Sequence, residues 1–177
     1  MTNETLQTLK NRRSCRAFKP EAIPEDVLNA VLDAGTWAPN AWDKQSASII
    51  AIRDEASRAV LTHLSQELAA EAGEDTPDPL YGAPVVVLIT AEKDSESGLE
   101  DGSLVAGNIM NAAQSVGLGS CWVNTARKIL EMPIGKAMLM KWGVTEPVTG
   151  VAFVVLGWPA EKPEEPRARK ENYIRIV

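Results

Sequence analysis

Three arginines and a serine stand within the five residues Arg12-Arg13-Ser14-Cys15-Arg16, followed by Ala17 and Phe18. Arginine presents a planar fork of donors that matches phosphate oxygens, and it keeps its charge at any cellular pH. A serine hydroxyl adds a donor close to the backbone. Such a segment suits one compact anion. It suits equally a solvated basic patch after a helix C-terminus, where the helix dipole favours cations. A second basic group, Arg167-Ala168-Arg169-Lys170, lies near the other end of the chain and by itself reads as a solvated tail. The 177 residues carry 24 acidic against 18 basic side chains, a formal charge of −6. That balance argues against broad binding to nucleic acid or an anionic membrane surface. Any recognition of phosphate must then be local, made by a few placed arginines.

Two further segments have residue types that suit a ligand. Gly117-Leu118-Gly119-Ser120-Cys121-Trp122 sets closely spaced glycines before an apolar run. That is a helix stop, a backbone that approaches a ligand, or both. It is not a dinucleotide fingerprint, since no G-x-G-x-x-G occurs, and no phosphate-binding G-x-x-x-x-G-K-[ST] loop occurs either. In Trp37-Ala38-Pro39-Asn40-Ala41-Trp42-Asp43-Lys44-Gln45, two tryptophans flank a polar loop. They suit a wall against an aromatic ligand or an interface between subunits. Two cysteines, Cys15 and Cys121, and one histidine, His63, are too few for a zinc site or a disulfide framework. Cys121 reads as a core residue rather than a nucleophile, with its only candidate base on a helix elsewhere.

The elements that must position these residues follow from spacing. Thr2 or Asn3 caps a short first helix with Leu6 and Leu9 on one face. Pro24 sits where first-turn prolines sit, ahead of a helix through Val27, Leu28, Val31 and Leu32 to Gly35. Helices are expected over 55–71 and 133–142, and the longest over 99–116. Its apolar residues (Leu104, Val105, Ile109, Met110, Ala113, Val116) lie on more than one side and predict deep burial. Strands are expected at 47–52, 84–89, 119–123 and 148–156; the run Pro84 to Ile89 is nearly all apolar, as a central strand is. Residues 73–82 read as a surface loop, and Pro159 to Pro166 as a charged surface crossing. The last six residues, Asn172 to Val177, alternate like an added strand, which could pair with a second copy of the chain. Strands interleaved with helices in a chain of this length indicate one α/β or α+β domain over 1–177, with a mixed sheet covered by helices. With no apolar N-terminal leader and no run of about 18 apolar residues, a cytoplasmic, thiol-reduced setting is expected.

Taken in order, the four segments resemble the nitroreductase family, whose members show R-R-S-x-R-x-F, then A-P-S-x-x-N-x-Q-P-W, then a G-L-G-[ST]-C-W type strand after a long helix, then a K/R-x-R pair. Arg12 to Phe18, Ala38-Pro39-Asn40 with Gln45, Gly117 to Trp122, and Arg167 with Arg169 are the matching residues. Each motif is weak singly; the ordered set spans nearly the whole chain.

The resemblance implies an α+β fold with a mixed, mainly antiparallel sheet flanked by helices, an intertwined homodimer, and FMN at the dimer interface. Arg12, Arg13 and Ser14, with Arg167 and Arg169, would hold the phosphate and ribityl end. Arg16 would lie near the flavin N1 and C2 carbonyl, where a fixed positive charge favours the anionic reduced ring. Pro39, Asn40 and Asp43 would come from the other copy's loop, and Gly119 and Ser120 would present backbone near the ring. NAD(P)H and then a nitroaromatic, quinone or related electrophile would use one shared site, a ping-pong scheme with no metal. A specialised reaction (dehalogenation, enoate reduction or flavin fragmentation) and a non-catalytic flavin-binding role are the alternatives. Two departures bear on substrate choice. Asp43 stands where the family usually has Asn, and Ser46-Ala47 where it has Pro-Trp. Trp42 replaces a small residue.

Overall fold

The computed structural model describes residues 1–162 and 165–177. The apolar runs form four strands, β1 (Ala47–Ile52), β2 (Val85–Glu92), β3 (Gly119–Val123) and β4 (Val148–Gly157), in the order β1-β2-β4-β3. Every ladder of this sheet is antiparallel. The one parallel pairing among the described residues is a single bridge, Ser14 with Ser120. β2 and β4 are central, and Val86, Val87, Leu88 and Ile89 have no exposed surface. Helices cover both faces, which is why these strands read as unbroken apolar runs rather than alternating ones.

Six helices flank the sheet: α1 (Glu4–Asn11), α2 (Glu25–Thr36), α3 (Glu55–Glu71), α4 (Gly98–Ser115), α5 (Ala126–Glu131) and α6 (Pro133–Lys141). On one face Leu28 and Val31 of α2 and Val105, Ala106, Ile109 and Ala113 of α4 pack on Val85, Val87 and Ile89. On the other, Leu61, Leu64 and Leu68 of α3, Ile129 of α5 and Leu139 of α6 pack on Val86, Leu88 and Phe153. Asn3 caps α1, its Oδ1 accepting from Leu6 N–H at 2.9 Å. α4 ends as the glycines suggest. Gly117 takes φ +81, Leu118 N–H reaches Ala113 O at 2.9 Å, and Gly117 N–H reaches Gln114 O at 3.3 Å, a paired arrangement that turns the chain straight into β3.

Four details depart from the sequence expectations. Pro24 is the residue before α2 rather than inside its first turn. Residues 126–131 form α5, a helix too short for periodicity to reveal. α4 is not buried all round: Leu99 and Leu104, both at 46%, are exposed, as is Val116 at 40% just past its end. Residues 172–177 form no strand, and Ile174, Ile176 and Val177 are exposed, because no sheet edge of this chain receives them. Within the expected crossing from Pro159 to Pro166, residues 163 and 164 lie outside the described residues.

Asp54 caps α3, with Oδ2 accepting from Ser57 N–H at 2.8 Å, and Lys141 of α6 stands 3.5 Å away. The Ser57 hydrogen bonds, with Lys141 adding to them, hold the Asp54 carboxyl below the usual carboxylate range. A depressed folded pKa contributes stability that is present above the unfolded pKa and lost as pH falls through the folded one. Asp54→Ala should therefore lower the melting temperature at neutral pH, and the difference from the native chain should close on acidification through the carboxylate range. Thermal melts across pH would show a gap independent of pH if the cap carried no charge-dependent stability.

Candidate functional site

β3 is an edge strand, and the arginine segment covers it. Cys15 N–H donates to Ser120 O at 2.9 Å beside the parallel Ser14–Ser120 bridge. A second bridge joins Phe18 to Pro159, with Lys19 N–H on Trp158 O at 2.8 Å and Ala160 N–H on Ala17 O at 2.9 Å. The segment is thus clamped between β3 and the chain leaving β4. Alternation along an extended backbone then buries Cys15, at 5% exposure, and turns Ser14 and Arg16 outward.

Gly119 is what lets this backbone approach. A Cβ built there would stand 2.7 Å from Cys15 Sγ and 2.8 Å from Cys15 Cβ. Its place in the motif is explained by the docking of Cys15. Ser120, 2% exposed, lies beneath the same segment. Burial pushes the Cys121 thiol up, against the pull of the nearby Arg16 guanidinium, so it stays a neutral thiol at physiological pH. His63, expected far from it, is an exposed residue of α3 standing 3.3 Å from Glu67.

The same clamp brings the two ends of the chain together. Arg12, Arg13, Ser14 and Arg16 line one cavity of about 400 Å³ with Lys162, Arg167 and Arg169. Among the described residues six cations line it with two carboxylates, Glu161 and Glu165, the latter 3.7 Å from Lys162, in a chain whose formal charge is −6. Arg13 has a second role: its Nη1 donates to Lys10 O at 2.7 Å and Arg12 O at 2.6 Å, closing the end of α1. Lys162 is a cation of the cavity that the sequence reading passed over, hidden in a segment read only as a crossing.

The tryptophan loop lies apart from this cavity. It contains a short 3₁₀ turn, Ala41–Asp43, and Trp42, Asp43 and Gln45 take φ of +57, +54 and +51. Non-glycine residues enter that region at about 1–2 kcal/mol each. The loop is held from within by Asn40, whose Oδ1 accepts from Gln45 N–H at 2.9 Å. It is held from outside by Asp101 of α4, a carboxylate only 3% exposed. Asp101 Oδ1 accepts from Ala41 N–H at 2.9 Å and Oδ2 from Ser46 Oγ–H at 2.7 Å. A second cavity, about 300 Å³, is lined by Thr36, Ala38, Asn40 and Gln45, by Ala47 and Ile49 of β1, and by Asp101 and Val105. Of the expected loop residues Asn40 alone lines it; Pro39 and Asp43 are exposed and line neither cavity. Trp37 and Trp42 stand 79% and 90% exposed. Asp101 escaped the sequence reading, although 101, 105 and 109 share one helical stripe and an acid there must find partners. No group of three or more potential metal ligands occurs among the described residues, and no described helix is long and apolar enough to cross a membrane.

The family model described as "Nitroreductase family" matches residues 9–158, and the chain belongs to that family. It is similar to the oxygen-insensitive NADPH nitroreductase of Salmonella typhimurium, 30% identical over 176 residues, covering 94% of this chain and 71% of the relative. It is also similar to an FMN reductase [NAD(P)H] of Bacillus subtilis, 23% identical over 201 residues, covering 97% and 75%. Among solved structures, a nitroreductase with bound FMN from Bacteroides fragilis superposes with a TM-score of 0.90 at 30% identity, covering 99% of this chain and 100% of that one. The α+β fold with a sheet flanked by helices is the family's.

Gly119→Ala should lower stability by about 1–3 kcal/mol, because the new methyl group overpacks against Cys15. Cys15→Gly opens that contact, so in a double-mutant cycle the two substitutions should be strongly coupled. Additive effects in thermal melts would mean that Gly119 is not held by this approach.

Proposed function

We propose that this chain is an FMN-dependent oxidoreductase that passes electrons from NAD(P)H to nitroaromatic, quinone or related electrophilic acceptors, working as a homodimer by a ping-pong mechanism. The observation that carries the reading is the cavity where Arg12, Ser14 and Arg16 meet Arg167 and Arg169. A phosphate monoester dianion matches that donor set in charge and geometry, and it is the end of FMN that most needs such partners. The names of the relatives, NADPH nitroreductase and FMN reductase, support the cofactor and the electron donor.

Bound FMN would supply the redox chemistry between the reduced nicotinamide and the acceptor. The chain supplies binding and electrostatics. Arg12, Arg13, Ser14, Arg167 and Arg169 would hold the phosphate and ribityl end, Arg13 also closing the end of α1 through its Nη1. Arg16, next outward along the same extended segment, sets a positive charge toward the ring end and favours negative charge there. Gly119 and Ser120, beneath the arginine segment and outside the cavity's lining, would present backbone near the ring. Pro39, Asn40 and Asp43 serve the second copy's site, which accords with their separation from the cationic cavity within one chain. Association of two copies is supported by the outward apolar residues Leu99 and Leu104 of α4, by Trp37 and Trp42, and by the unpaired terminal run Ile174 to Val177. A cytoplasmic setting, supported by two buried unpaired cysteines, belongs to the same reading. Trp42 and Asp43, both exposed at positive φ, favour as a second reading a specialised acceptor reaction such as dehalogenation, enoate reduction or flavin fragmentation.

The purified protein should be yellow with the oxidised-flavin spectrum. Arg12→Glu and Arg169→Glu should each weaken FMN binding by at least about tenfold, with far-ultraviolet circular dichroism unchanged. Undiminished flavin in both variants would mean the phosphate lies elsewhere. A protein that takes up no FMN sinks the proposal. Steady NAD(P)H oxidation with an added acceptor, and parallel double-reciprocal plots, are expected; a flavin-binding protein without turnover would show neither.

A further inference from the structure

Asp101 is the one buried carboxylate among the described residues, and both of its oxygens are spent on a single loop. Its partners bracket the strained stretch. Ala41 N–H lies just before the positive-φ residues Trp42, Asp43 and Gln45, and Ser46 Oγ–H lies just after them. Ser46 is in turn fixed to the sheet, its carbonyl accepting from Glu92 N–H at 3.0 Å. Asn40 and Gln45, at the two shoulders of the loop, line the same cavity as Asp101 and Val105. Within the loop Gln45 N–H donates to Asn40 Oδ1, Gln45 Nε2 to Asp43 Oδ1 at 3.3 Å and Lys44 N–H to Ala41 O at 3.1 Å, while Asp101 is the side chain that ties both shoulders to a helix.

We propose that Asp101 is the positioning residue that sets the conformation of the 40–46 loop and so the range of acceptors this protein admits. Left to local preferences, Trp42, Asp43 and Gln45 would leave the left-handed region, and Asn40 and Gln45 would move with them. The two hydrogen bonds to Asp101 are charge-assisted, the one from Ser46 Oγ–H buried and the one from Ala41 N–H half-buried, and they oppose that relaxation. Trp42 projects from this held turn into solvent, where its ring can meet only something outside the chain. The acceptor clause rests on the proposed function, in which this loop faces the bound reactants. Ser46 supplies the hydroxyl of the anchor, a group that its replacement by alanine removes without touching Asp101.

Lys44 lies inside the loop and is exposed, so trypsin reads the loop directly. On purified protein with and without FMN, Asp101→Leu should speed cleavage after Lys44 by about tenfold, and Ser46→Ala by a smaller factor. Asp101→Asn, which still accepts from Ala41 N–H and can donate to Ser46 Oγ, should restore most of the protection. In steady state, Asp101→Leu should raise KM for the acceptor by about tenfold while kcat moves far less. Native resistance at Lys44 in both Asp101→Leu and Ser46→Ala would overturn the proposal. So would an Asp101→Asn variant cut as fast as Asp101→Leu, or faster cleavage with no change in KM. The proteolysis does not depend on the cofactor, so a protein that never bound FMN would defeat the proposed function and leave the anchoring claim standing on its own result.

Discussion

The rest of the site hangs on a close backbone approach at the edge of the sheet. β3 would otherwise expose an unpaired edge, and the Arg12–Arg16 segment covers it through the Ser14–Ser120 bridge and the Cys15 N–H to Ser120 O bond. That contact exists because Gly119 has no side chain where Cys15 packs. The Phe18–Pro159 bridge then ties the same segment to the chain leaving β4. Covering one edge strand therefore does two things. It protects a hydrogen-bonding edge, and it brings Arg167 and Arg169 to the same cavity as Arg12 and Arg16.

Charge sharpens the consequence. In a chain of −6, like charges drawn together in one cavity repel, and the arrangement is costly unless an anion neutralises it. Arg13 shows how the cost is limited, since its guanidinium is turned onto the carbonyls at the end of α1. The loop uses a different device. There strain at Trp42, Asp43 and Gln45 is countered by one buried acid on a neighbouring helix rather than by a cluster of charges.

Much of this was legible in the sequence, for identifiable reasons. β2 and β4 are apolar throughout because helices cover both faces, and the glycine after α4 is where the helix ends because only a residue tolerant of φ +81 makes that turn cheaply. Asn3, Leu28, Val31 and the span 55–71 follow ordinary capping and periodicity. The arginines were ambiguous until both groups were seen lining one cavity, since local sequence does not distinguish a phosphate site from a basic tail. What stayed hidden depends on distant contacts. Asp101 looks like an ordinary acid in the first turn of a helix until the loop 60 positions earlier is folded against it. α5 is too short to show a period. The exposed apolar residues of α4 and the alternating run 172–177 suggest core and strand from sequence, because polarity does not say whose surface is met.

The central claim is that residues from both ends of the chain hold one phosphate, and riboflavin tests it most directly because it is FMN without that group. By titration of the apoprotein, the native chain should bind FMN at least about a hundredfold more tightly than riboflavin, as two or more charge-assisted contacts imply. Arg12→Gln and Arg169→Gln should each erode FMN affinity toward the riboflavin value while leaving riboflavin binding unchanged. Equal affinity for the two flavins in the native protein, or variants that weaken both alike, would contradict the account.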